Sequence, residues 1–300
     1  MNKMRTRNLC ALTNYEVEEY LKHSDIIFIP VGTVELHGPL PLDCEYVLSE
    51  AFTYKLADIC DGLVLPHLVY FFPGATTIGR GTVYMSMTEG TAYLRAVAES
   101  LLNQGFRRQV YITSHAPAFQ TIIPMISQFF DEMKVPLFHG DLITLMMGSN
   151  LMDPSKIFSE EGMNLVDDMI YGAYKMLHRL EDIPLGMNLP EIVYTPESDT
   201  TGSLPEAIAN LYPKVMGSYY TAWYYGNKLE HGGQCKPCMT AEEREDRAER
   251  GMVTLDQMAR SFQFPQKLEA LQTIDKFTQE SILPRYGNWL PPNKYPKPDK

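Results

Sequence analysis

The stretch Ile26-Ile27-Phe28-Ile29-Pro30-Val31, followed without a break by Gly32-Thr33-Val34-Glu35-Leu36-His37-Gly38-Pro39-Leu40-Pro41-Leu42-Asp43-Cys44-Glu45, decides the fold. A short apolar run bounded by Ser24-Asp25 and Gly32 reads as a β-strand. Polar residues crowd the loop that leaves it. In an α/β sheet ligands bind at the carboxyl ends of strands, so Glu35, His37, Asp43 and Glu45 are expected at the functional edge.

Outward from this stretch, apolar runs alternate with helical patterns, which is the signature of βα units around a mostly parallel sheet. Leu48, Phe52, Leu56 and Ile59 keep helical spacing over 46–60, and Asp61-Gly62 supplies a stop. Leu63 to Phe72 reads as a second strand. Thr88 is the expected N-cap of a helix with Leu94, Val97, Ala98, Leu101 and Leu102 on its buried stripe, ended by Gly105. Gln109–Thr113 and Val135–Phe138 read as the third and fourth strands. A helix is expected over Glu160–Leu180, with Leu165, Met169, Ala173, Met176 and Leu180 on one face. Segment 181–240 is rich in Pro, Gly and Tyr, helix returns around 241–260, and the chain ends in a Pro-rich tail from about residue 285. With no repeat and no clean linker, residues 1–300 are expected to form a single domain.

The chain has 300 residues and a net charge of −11, which repels phosphate backbones and anionic lipid. Neither nucleic acid nor membrane is an expected partner. No stretch approaches the roughly 18 consecutive apolar residues of a membrane span, and the N-terminal sequence lacks a signal-peptide core. The expectation is a soluble cytoplasmic protein. Five cysteines, an odd number unevenly spread, point to reduced thiols.

In extended chain Glu35 and His37 share one side, because side chains repeat every second residue. A carboxylate and an imidazole converging there suit a divalent ion of the zinc or manganese type, whereas a solvated turn with a capping acid is the plainer alternative. The strand at 109–113 delivers Ser114-His115 to the same kind of edge. If the two strands are neighbours, His115 lies beside Glu35 and His37. Between them Gly79-Arg80-Gly81 offers close backbone approach and a guanidinium for an anionic or carbonyl group, or simply a tight turn with an exposed Arg.

These segments resemble the creatininase (creatinine amidohydrolase) family. That family carries Gly-x-x-Glu-x-His-Gly-Pro-His-Leu-Pro-Leu-Gly-x-Asp, then Gly-Thr, then Gly-Phe with an apolar strand and Asn-Gly-His. Here the counterparts are Gly32 to Glu45, then Gly81-Thr82, then Gly105-Phe106 to Ser114-His115, so the likeness runs over roughly residues 25–140. The resemblance implies Glu35, His37, Glu45 and His115 as ligands of one or two Zn or Mn ions, with Asp43 close enough to compete with Glu45. One residue of the family's His-Leu-Pro stretch is missing, and Ala116-Pro117 stands where relatives carry a further ligand or a Gly-Gly-Asn turn. Thr201-Gly202-Ser203-Leu204-Pro205-Glu206 loosely echoes a downstream segment, which implies Glu206 as a remaining ligand or a catalytic acid/base.

The reading is therefore a three-layer α/β/α metal-dependent hydrolase that opens a small cyclic substrate with metal-activated water. A cyclic amide is placed first and the carbon–carbon opening of an oxidised inositol second. Arg80 and Ser114, with Tyr84, are expected to hold the substrate. A metal-retaining binding protein without catalysis, and a thiol hydrolase using Cys44, are the readings from other classes. His231, Cys235 and Cys238 have part of a zinc-site spacing, although two reduced thiols in a turn explain them as well. His139 is expected to be a structural histidine at the same sheet edge. The family's habit implies a homo-oligomer, a hexamer, with the tail and the Tyr-rich 219–225 stretch at subunit contacts.

Overall fold

In the computed structural model, which describes residues 4–74, 76, 81–148, 153–156, 160–186 and 237–292, the apolar run forms strand β1 (Ile26–Val31), buried along its whole length. It lies inside a parallel four-stranded sheet with β2 (Leu63–Val64), β3 (Arg108–Thr113) and β4 (Phe138–Asp141), in the order β2-β1-β3-β4. Among the described residues the longer helices are α1 (Asn14–Leu21), α2 (Cys44–Cys60), α3 (Met87–Asn103), α4 (Phe119–Met133), α5 (Leu142–Gly148), α6 (Glu160–Met176), α7 (Ala241–Ser261) and α8 (Phe264–Phe277).

Side-chain alternation along β1 builds two cores. Ile26 and Phe28 pack with Val47 and Phe52 of α2, Met169 of α6 and Leu255 of α7. Ile27, Ile29 and Val31 pack on the opposite face with Leu94 of α3, Ile122 and Phe129 of α4, and Tyr20 of α1. Helices therefore cover both faces, giving the three-layer α/β/α architecture expected from the sequence. The chain winds from β1 to β2 on one side and places β3 on the other, so the order reverses between β1 and β3. That reversal opens a crevice at the carboxyl ends of these two strands. Val31 registers with Thr113, so both strands release their loops at one level. No helix among the described residues is long and apolar enough to cross a membrane.

Several boundaries differ from the sequence reading, each for a local reason. The second strand is not Leu63–Phe72 but the dipeptide Leu63–Val64, after which Pro66 and His67, the latter at φ 76°, turn the chain away. One bridge, Val31 to Leu68, resumes the contact. The interruption explains how a proline sits inside β1. Phe28 accepts from Leu65 N–H at 2.9 Å and Gly32 donates to Leu68 at 3.2 Å, so Pro30 between them faces the same flank. β2 registers only with Ile27 and Phe28, so the missing N–H of Pro30 takes no bond from the β1–β2 ladder. Helix α3 is capped by Ser86 rather than Thr88, through a capping box in which Glu89 returns a bond to the Ser86 backbone. The fourth strand lies three residues later than Val135–Phe138, and α6 ends at Met176, with His178 at φ 59°, short of Leu180. Helix α4, strongly amphipathic, carries Pro124 inside it and is not among the elements expected from the sequence.

Helices α6 and α7 meet backbone to backbone. A Cβ on Gly172 would fall 2.4 Å from Met252 N, and one on Gly251 only 1.7 Å from the Asp168 carbonyl oxygen. Ion pairs from Arg247 (2.7 Å) and Arg250 (2.8 Å) to Asp168 border the contact. Forced separation of packed elements costs about 1–3 kcal/mol, occasionally more. Gly251→Ala is expected to lower stability by at least that amount, read as a lower urea midpoint at unchanged slope.

Candidate metal centre

The centre starts from a close approach. A Cβ on Gly32 would lie 2.4 Å from the Tyr46 Cα, so only glycine lets the first turn of α2 rest against the end of β1. This brings Glu45, in that first turn, to the loop that carries Glu35. The loop closes on itself through Glu35 N–H to Leu42 (2.9 Å) and Leu40 N–H to His37 (3.1 Å), and Val83 N–H braces it from outside at the Val34 carbonyl (2.9 Å). His115 arrives from the end of β3, across the crevice.

Here the side chains converge. His115 Nδ1 lies 2.9 Å from Glu35 Oε1 and 2.5 Å from Glu45 Oε2. Its Nε2 lies 2.8 Å from the Phe72 carbonyl, which can only accept, so Nε2 carries a proton and donates it. One atom each from Glu35, Glu45 and His115 falls within 4.8 Å of the other two. His37 Nε2 stands 3.7 Å from the second Glu45 oxygen, Oε1. The Glu35 and His115 side chains are fully buried, while those of His37 and Glu45 keep 8% and 13% exposure, so the cluster has a closed floor and one open side.

With Nε2 as donor, a neutral His115 would turn a lone pair toward two carboxylates. Only positive charge makes that arrangement favourable. A proton can provide it: burial disfavours the His115 cation, but Glu35 and Glu45 outweigh this and hold its pKa well above the usual histidine range. The Glu45 carboxyl is itself pushed up, first by burial and further by Glu35, against the pull of His115. A divalent ion provides it equally well, because two carboxylate oxygens and an imidazole nitrogen are a donor set that zinc and manganese accept. The residues present fit such an ion.

Of the two acids that competed in the sequence, Glu45 is the one at the cluster. Asp43 accepts instead from Tyr174 (2.6 Å) and Arg179 (2.7 Å) and ties the start of α2 to the end of α6. The Ser114 hydroxyl donates to the Glu45 carbonyl (2.6 Å), and its N–H donates to Ser49 (2.8 Å), so it docks the β3 loop on α2. Tyr84 is 58% exposed. His139 stays outside the cluster, with burial pushing its pKa down to about 4, as suits a neutral structural histidine. Cys44 is buried in the core and Cys238 is a free, buried thiol. Arg80, Glu206, His231, Cys235 and the 219–225 stretch lie outside the described residues. Thr76, whose hydroxyl bonds Glu35 Oε2, and the Phe72 carbonyl are contributors that carry no motif signal in the sequence.

Comparison with known proteins gives consistent findings. A family model described as creatininase, creatinine amidohydrolase, matches residues 11–169. A 3-dehydro-scyllo-inosose hydrolase of Thermotoga maritima is 31% identical over 129 residues, 42% of this chain and 41% of that protein. The chain thus matches less than half the length of this curated relative. Among solved structures, a mutant creatininase of Zn-Zn type is similar at a TM-score of 0.60, with 16% identity over 92% of this chain and 99% of its own. A creatininase described with Mn is similar at 0.55, with 17% identity over 87% and 98%. A crystal structure of creatinine amidohydrolase gives 0.56, with 18% identity over 92% and 98%. At such identities these structures show the shared fold.

Two outcomes are expected of this geometry. His115→Ala should abolish stoichiometric binding of zinc or manganese, whereas Asp43→Asn should keep the metal and lose stability; elemental analysis after dialysis and thermal melts measure both. The second concerns pH. Glu45 and His115 both hold protons more tightly in the folded protein than in the unfolded chain, where they titrate near 4.3 and 6.5. Unfolding of the metal-free protein therefore releases protons, and its stability falls as pH rises from about 5 into the alkaline range. Urea unfolding in chelator should show that slope, and saturating divalent ion should remove it.

Proposed function

The chain belongs to the creatininase family, and on that premise we propose that it is a metal-dependent hydrolase that opens a small carbonyl-bearing ring, with an oxidised inositol, cut at a carbon–carbon bond, as its substrate. The observation that carries the reading is the buried set of Glu35, Glu45 and His115 with one open side. A divalent ion held there would lower the pKa of bound water from about 15.7 toward about 7, supplying hydroxide at neutral pH, and would polarise the carbonyl under attack.

The chain's own groups take the remaining roles. Glu35 and His115 would hold the ion from the closed floor. Glu45 faces both ways, with Oε2 toward His115 and Oε1 toward His37, so His37 and Glu45 would hold a second ion or the incoming water on the open side. Ser114 positions Glu45 through its carbonyl. Arg80, four residues beyond Thr76 in the chain, is assigned to the substrate's carbonyl or anionic group, and Glu206 to the proton that the departing atom needs. In a ring with two carbonyls flanking one carbon, hydroxide adds to the first carbonyl and the bond to the flanked carbon breaks. The electron pair enters the second carbonyl as an enolate, which a proton then quenches. The balance is one water consumed and one open-chain keto acid formed.

Support for carbon over nitrogen as the departing atom comes from the 31% identical inosose hydrolase. The cyclic-amide reading, placed first on the motifs alone, is kept as the second, since the matching family model is described as creatinine amidohydrolase. Both need the same hydroxide and differ only in what leaves. We also propose a homo-oligomer, a hexamer, acting in the cytoplasm.

Metal-reconstituted protein assayed with 3-dehydro-scyllo-inosose and with creatinine distinguishes the readings. Acid release from the diketone and none from creatinine is expected. Creatine formation from creatinine alone would reverse the order, and metal binding without turnover of either ring would leave a binding protein. Glu45→Gln should lower kcat/KM at least 100-fold, about 2.7 kcal/mol of transition-state stabilisation. Arg80→Ala with unchanged kcat/KM would remove Arg80 from the site.

A further inference from the structure

The strap that leads from β2 toward α3 bonds two of the proposed ligands, although they come from different strands. The Phe72 carbonyl accepts from His115 Nε2 at 2.8 Å. The Thr76 hydroxyl reaches Glu35 Oε2 and lies 2.9 Å from the Pro73 carbonyl. Phe71 and Thr76 are fully buried and Phe72 nearly so. Gly74 adopts φ 66°, the left-handed turn that carries the chain from one contact to the other. The strap is also anchored from behind: Gly90 of α3 is so close to Phe71 that a Cβ there would stand 3.0 Å from its ring.

We propose that Thr76 is the positioning residue of the metal centre: by donating to Glu35 Oε2 it holds the carboxylate with Oε1 turned toward His115 and the ion. This rests on the reading of Glu35 as a ligand and goes beyond it to the mode of ligation. A hydroxyl has one proton to give, and Thr76 has two acceptors beside it. The ionised carboxylate is the stronger acceptor, since charge-assisted hydrogen bonds are roughly twice as strong as neutral ones, so the proton goes to Oε2. Glu35 Oε1 is the oxygen that faces His115 Nδ1 at 2.9 Å. Thr76 thus orients the carboxylate and Phe72 selects one imidazole nitrogen, from positions only four residues apart in the chain. Hydrogen bonds of this kind behind a ligand typically govern 10–100-fold in metal affinity.

The test compares Thr76→Val, which keeps the shape and removes the hydroxyl, with Thr76→Ser, which keeps the hydroxyl. Zinc affinity is measured by chelator competition, and the absorption spectrum of the cobalt-substituted full-length protein reports coordination without reference to activity. Thr76→Val should weaken zinc binding about 10–100-fold and change the cobalt spectrum, while Thr76→Ser stays within a few-fold of wild type with the same spectrum. Should Thr76→Val not fold, Thr76→Ala is read in the same way. Equal affinity and spectrum in Val and wild type would overturn the proposal, and so would a Ser variant as impaired as Val, which would mean that packing of the methyl group matters. A wild-type protein that binds no zinc would overturn both this proposal and the hydrolase reading. Zinc binding that depends on the Thr76 hydroxyl, in a protein that opens neither ring, would uphold the proposal and overturn the hydrolase reading alone.

Discussion

Two carboxylates and an imidazole nitrogen brought within 4.8 Å of one another, two of the three side chains fully buried, are held together only if positive charge lies among them. The rest of the structure can be read as the means of enforcing that contact. Glycine at position 32 admits α2 to the end of β1, the reversal of strand order places β3 beside β1, and a shared register releases Glu35 and His115 at the same height. A proton satisfies the cluster without metal, and an ion must displace it. Metal binding there would therefore be coupled to pH through the same groups that hold the proton.

The early end of β2 belongs to this design. Pro66 and the left-handed His67 take the chain off the sheet where Pro30 would have no N–H to offer it, so two prolines on facing segments are mutually consistent. A longer β2 would carry residues 65–72 along the sheet's flank. Instead the chain crosses above the end of β1, touches it at Leu68, and reaches His115 with the Phe72 carbonyl. What looks like a poor strand is the route by which the strap reaches the metal centre.

Much of this was legible in the residues. The IIFIPV run, the alternation of apolar strands with helical stripes, and the polar loops after 31 and 113 pointed to the layered sheet and to the approach of Glu35 and His115, because these features are local and periodic, whereas Glu45 was implied by the family resemblance. Thr76 and the Phe72 carbonyl were not legible. A backbone carbonyl has no sequence identity, and a threonine near a Pro-Gly turn is unremarkable until the fold brings it to Glu35. The choice between Asp43 and Glu45 was equally hidden. It depends on Tyr174 and Arg179, more than 130 residues away in the chain, which claim Asp43 for the α2–α6 junction.

That junction also accounts for the shortened loop. With one residue fewer than the family pattern between His37 and the acid, Glu45 still falls inside the first turn of α2. A carboxylate there gains from the positive end of the helix, which opposes the cost of burying it beside Glu35. The position is useful only if that helix end is held still, and two anchors hold it. Asp43 is gripped by Tyr174 and Arg179 on one side, while Ser49 and Ser114 hold the Glu45 carbonyl from the other. The extra carboxylate that seemed a rival ligand thus fixes the first turn of α2, and a loop shortened by one residue still delivers Glu45 to the cluster.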